Sequence, residues 1–111
     1  MTGILLQVDG TSGDIELEEK IALQFARSFN VFKDRQRKYG HRNISDFGLT
    51  GVIVRLNDKI ARLKNMLKNK DTNFDDESVA DTLLDVTNYG AIGALCLDGD
   101  WPETTAGIDD E

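Results

Sequence analysis

The chain has 111 residues, a net charge of −7 and 40% hydrophobic residues, enough for one domain with a core yet short enough for partner chains to supply more of it. The acidic balance excludes a nucleic-acid duplex as the main partner, because phosphate contacts need a basic surface. No apolar run approaches the ~18 residues of a membrane span, and the start "MTGILLQVDG" has no basic leader region, so a cytoplasmic protein that does not enter a membrane is expected.

Residues 1–13 pair a short apolar alternation with "DGTSGD" and read as an N-terminal arm, extended or a short strand, ending in a turn. A first helix is expected from Asp14 to Lys38. Leu17, Ile21, Phe25, Phe29 and Phe32 recur at steps of four and three, and Tyr39-Gly40 supplies a left-handed stop. After the loop "GHRNISDF", a second helix carries Leu49, Val52, Ile53, Leu56, Ile60, Leu63 and Leu67 on one face, with Arg55, Asp58 and Arg62 opposite. Asp75 is placed to cap a third helix, with Val79, Leu83, Leu84, Ala91, Leu95 and Cys96 on its buried side and Trp101-Pro102 closing it. Cys96 is the one cysteine and reads as an inert buried thiol. Residues 98–111 form an acidic tail, leaving a helical domain over 14–97. Three helices with short loops and almost no strand signal give an all-α bundle. Its length and its glycine- and leucine-rich faces point to completion as a homo-oligomer, a dimer or larger.

Two constellations carry chemistry. In the third helix Glu77, Asp81, Asp85 and Asn88 fall within about 80° of one another around the axis. Carboxylates four apart repel, and no lysine or arginine occurs from Asp71 to the C-terminus. A solvated face at the dipole's positive end accounts for Glu77, but Asp81 and Asp85 lie further in. Either the line is plain surface or its charge is offset from elsewhere, by a hard cation such as Mg²⁺ held by Glu77, Asp81 and Asp85 or by the Arg55/Arg62 face of the second helix. The second constellation is "KDRQRKYGHRN", which sets Lys33, Arg35, Arg37, Lys38, His41 and Arg42 around Tyr39. Guanidinium forks suit phosphates, and an aromatic face suits a base; a solvated helix end whose cations complement the dipole explains Lys33 and Arg35 equally well. Gly90 and Gly93 inside the third helix cost about 1 kcal/mol each relative to alanine and suggest a close helix crossing.

From about Val31 to Leu97, the order "KYG…FG…VRLNDKIARLKNML…DESVADTLLDVTNYGAIGAL" resembles the nucleotide modification associated domain of the first type, a helical family of phages and bacteria. That family is distantly similar to the all-α MazG-like NTP pyrophosphatases. The resemblance implies a nucleotide site between helices lined by Asp58, Lys59 and Arg62, then Glu77, Asp81, Asp85, Asn88 and Tyr89. It departs from the MazG pattern in the second helix, where Asp58 is followed three residues on by Ala61 instead of by a second acid. Glu16 and Glu19 have metal-ligand spacing but sit where capping explains them. The expectation is therefore a phage-type protein that binds a phosphate-bearing nucleotide through Lys38, Tyr39, His41, Arg42, Asp58, Lys59, Arg62, Asn88 and Tyr89, one use being sequestration of a host signalling nucleotide. The alternative is a Mg²⁺-dependent (d)NTP pyrophosphohydrolase or an accessory factor of nucleotide modification.

Overall fold

The computed structural model describes residues 10–40, 48–69 and 76–102. Three helices account for nearly all of them: α1, Ile15–Tyr39, α2, Gly48–Lys68, and α3, Asp76–Asp98. Among the described residues there is no strand, and the all-α expectation holds. None of these helices is long and apolar enough to cross a membrane.

The ends of the helices follow local chemistry. At the start of α1, Asp14 Oδ1 accepts from the Leu17 backbone N–H at 3.1 Å, satisfying one of the amides that a first turn leaves unpaired. Glu18 then reaches back: one of its carboxylate oxygens accepts from the Ser12 backbone N–H, from Ser12 Oγ at 2.6 Å and from Thr11 Oγ1 at 2.7 Å. The described end of the expected arm, residues 10–13, is thus a capping turn, while residues 1–9 and the expected cap Asp75 lie outside the described residues. Glu16, one of the two acids with ligand spacing, pairs instead with Lys20 at 3.4 Å. Gly40 stops α1 with the positive φ expected, 77°, but its ψ of 171° sends the chain out extended, a region open to glycine almost alone.

The end of α3 does more than stop a helix. Gly99 takes φ 80°, its N–H donates to Cys96 O at 3.2 Å, and the Asp100 N–H donates to Leu95 O at 2.9 Å. This paired closure of the last carbonyls is the Schellman arrangement. It turns the chain so that Trp101 enters the core, edge-on to Phe32 with ring centroids 6.2 Å apart. Packed structure therefore continues to Trp101, past the residue 97 boundary expected for the helical domain.

α3 is the central helix and packs against both others, most extensively against α2. Leu49 and Val52, early in α2, face Gly93, late in α3, whereas Lys59 meets Asp85, so the two helices run antiparallel. The core is small: Val52, Ile92 and Trp101, with Phe32, Leu56, Tyr89 and Cys96 packed around them. Gly93 is buried at the α2–α3 crossing, but the neighbouring Val52 and Leu49 leave ordinary van der Waals room for a methyl group, so the crossing is less tight than expected; Gly90 faces open space among the described residues.

The inward face of α3 differs from the one expected. Leu83 and Leu95 are exposed and Ala91 is turned outward, whereas Thr82, Asp85, Ile92 and Gly93 are buried. A polar inward face is tolerable only where each group finds a partner. Thr82 Oγ1 donates to Ser78 O at 2.7 Å, and Asn88 Nδ2 donates to Ser28 O of α1 at 2.9 Å. In α2, Met66 is buried while Ile53 and Leu67 of the expected apolar face are exposed. Cys96 is half-buried against the core.

Candidate functional site

Where α1 crosses α3, a cleft of about 310 Å³ opens, lined by Phe32, Arg35, Tyr39, Asp85, Asn88, Tyr89 and Ile92. Its position follows from the helical repeat. Ser28, Phe32 and Arg35 are spaced four and three apart and so share the α1 face that meets α3; Asp85, Asn88 and Ile92 repeat the same spacing on α3. Tyr39, at the last turn of α1, hangs 62% exposed at the rim.

Asp85 is the electrostatic centre of the site. Its side chain is 7% exposed, and two cations from two other helices hold it: Arg35 Nη1 lies 2.5 Å from Oδ1, and Lys59 Nζ lies 3.0 Å from Oδ2. A carboxylate removed from water needs such compensation. The question raised by its helical neighbours is thereby answered for Asp85, but with a correction: the offsetting charges are Arg35 and Lys59, in place of the Arg55/Arg62 face. Arg62 is exposed on α2 and does not line the cleft.

Of the residues singled out in the sequence, Tyr39, Asp85, Asn88 and Tyr89 come together in the cleft, and Lys59 joins through Asp85. Glu77, Asp81 and Asp58 are exposed and are not among the lining residues. Lys38 is turned to its own helix, 3.2 Å from Asp34, whose other oxygen takes Arg37 at 2.8 Å. Its hydrogen bond holds the Asp34 carboxyl below the usual carboxylate value. His41 and Arg42 lie outside the described residues. Among the described residues, no group of three or more histidine, cysteine or acidic side chains is gathered as a metal site would require, so the described part of the Glu77/Asp81/Asp85 line does not converge on one cation.

The site residues that sequence reasoning undervalued are Arg35 and Phe32. A signal was present: Arg35 continues the Ser28–Phe32 face, and a cation on an inward face requires an acid opposite it, as Asp85 requires a cation. The cleft thus offers three aromatic rings, an amide, and a guanidinium that is 44% exposed while bonded to Asp85.

No protein-family model matches this chain, and neither a curated protein nor a solved structure matches it. The functional reading accordingly rests on the cleft and on the motif resemblance.

Proposed function

We propose that the α1–α3 cleft binds a phosphate-bearing nucleotide and holds it without hydrolysis, one use being the sequestration of a small signalling nucleotide. The observation that carries this reading is the convergence of Phe32, Tyr39 and Tyr89 with Arg35 and Asn88 on one cleft. Tyrosine faces stack on a base, an asparagine amide both donates to and accepts from a base edge, and a guanidinium has five N–H donors, of which the Asp85 bond engages one nitrogen. The remaining donors suit a phosphate oxygen.

The alternative, Mg²⁺-dependent hydrolysis of a (d)NTP, receives less support from the donor set. Asp85, the acid in the cleft, already faces Arg35 and Lys59; a divalent ion there would have to displace or repel them. Arg35 and Lys59 instead make the site net positive, which favours anion binding.

A nucleotide panel tested by thermal shift, with and without Mg²⁺, decides the matter, since a ligand that binds the folded state raises the melting temperature according to its concentration over Kd. The expected result is stabilisation by at least one nucleotide, independent of Mg²⁺ and lost in Tyr39→Ala, a substitution at an exposed side chain that leaves the fold intact. A panel without any shift overturns the reading, and Mg²⁺-dependent release of pyrophosphate restores the hydrolase.

A further inference from the structure

Among the described residues, nothing covers the apolar side of the first half of α1. Ser28 and Phe32 turn toward α3 and the core, but Phe25 is 51% and Phe29 41% exposed, with Ala22 and Ala26 open beside them. At 100° per residue, Glu19, Ala22, Phe25, Ala26, Phe29 and Lys33 share a strip about 120° wide. Its centre is turned about a third of a circle from the face against α3, and none of its residues lines the cleft. The strip is firmly seated: Phe29 stacks on Phe32 with centroids 6.5 Å apart, and Phe32 packs on Trp101.

Its charges are arranged in a particular way. Glu19 and Lys33 bracket the strip on the same flank, about four turns or ~21 Å apart, with the small Ala26 midway. The Lys33 ammonium lies 5.1 Å from the centre of the Phe29 ring, at the edge of the apolar surface. A strip with an apolar middle and opposite charges at equal distances from it is its own complement under a two-fold rotation. Parallel pairing would instead set Glu19 on Glu19 and Lys33 on Lys33.

We propose that this strip binds a second copy of the chain, α1 packing antiparallel on α1 about a two-fold axis near Ala26, with Glu19 of each copy facing Lys33 of the other. The alanines allow close approach at the axis and the phenylalanines supply the apolar contact. This pairing is independent of what the cleft binds.

Light scattering and sedimentation of the full chain at micromolar concentration test it. The wild type is expected to be a dimer or a multiple of one, and Phe25→Glu to dissociate that contact while circular dichroism stays helical. Glu19→Lys and Lys33→Glu are each expected to weaken association about fivefold, since exposed ion pairs contribute little individually. The double swap Glu19→Lys with Lys33→Glu restores it, which a general loss of solubility or folding does not do. A monomeric wild type overturns the proposal and leaves the strip to another occupant. Association that survives Phe25→Glu, or single charge reversals that the double swap fails to rescue, overturns it as well.

Discussion

Arg35 and Asp85, fifty positions apart in sequence, meet at 2.5 Å across the α1–α3 interface, and Lys59 of α2 closes on the same carboxylate from the other side. One acid therefore ties all three helices. Asp85→Asn leaves two cations facing one another without their counter-ion. Loss of one member of a fully buried pair costs about 3–5 kcal/mol, and the exposure of Arg35 to solvent reduces this to about 2 kcal/mol. A lowered urea midpoint with an unchanged slope is the expected result. Asp81→Asn, at an exposed position one turn away, is expected to stay within about 0.5 kcal/mol of the wild type. Equal effects of the two substitutions would contradict the arrangement.

The Gly99 turn and the position of Trp101 form one device. Gly99→Ala forces a side chain into φ 80° and is expected to cost about 1–2 kcal/mol. Trp101→Ala removes a buried aromatic side chain and is expected to cost about 3–5 kcal/mol. Thermal unfolding measures both, and the fluorescence of Trp101, the one tryptophan in the chain, should shift to the red in Gly99→Ala if the turn holds the ring in the core.

Gly93 allows a prediction of opposite sign. A methyl group built there meets Val52 Cγ1 at 3.5 Å and Leu49 Cδ1 at 3.6 Å, ordinary van der Waals separations, and its φ is not positive. Gly93→Ala should therefore stabilise the helix by up to about 1 kcal/mol, whereas Gly93→Leu overpacks the α2–α3 crossing and destabilises by about 1–3 kcal/mol. Calorimetry that found Gly93→Ala strongly destabilising would show the crossing to be closer than described.

Glu18 gives the fold a pH dependence. Hydrogen bonds from the Ser12 side chain, the Ser12 backbone and the Thr11 side chain hold its carboxyl below the reference value of 4.5. With the folded value depressed, the unfolded chain binds the proton first as pH falls. The contribution of Glu18 is thus present above about pH 4.5 and is lost as pH drops through the folded value. Carbon-detected NMR titration should place the Glu18 midpoint below the reference value of 4.5. Glu18→Gln should flatten the acid limb of the stability curve by an amount set by this one exposed group.

The periodicity of apolar residues showed the three helices, and Asp14 and Gly40 placed the ends of α1 to within a residue, because capping groups and glycines of positive φ act through neighbours in sequence; α3, expected to be closed by Trp101-Pro102, ends at Asp98. The chain also announced that Asp85 needed a cation, since none follows it, and that Tyr39 stood among charges. Which cations answer Asp85 was decided only by the tertiary structure. Arg35 and Lys59 come from different helices, and their approach depends on the angle at which α1 crosses α3 and on the antiparallel run of α2. The inward face of α3 was hidden for the same reason. Thr82, Asp85 and Asn88 look solvent-directed by polarity, and Leu83 and Leu95 look buried; the partners that make polar burial affordable lie in distant segments, or at Ser78 one turn back. Likewise the apolar steps of α1 showed a stripe but not how far α3 reaches along it. That length, set by where the helices cross, leaves Phe25 and Phe29 uncovered among the described residues.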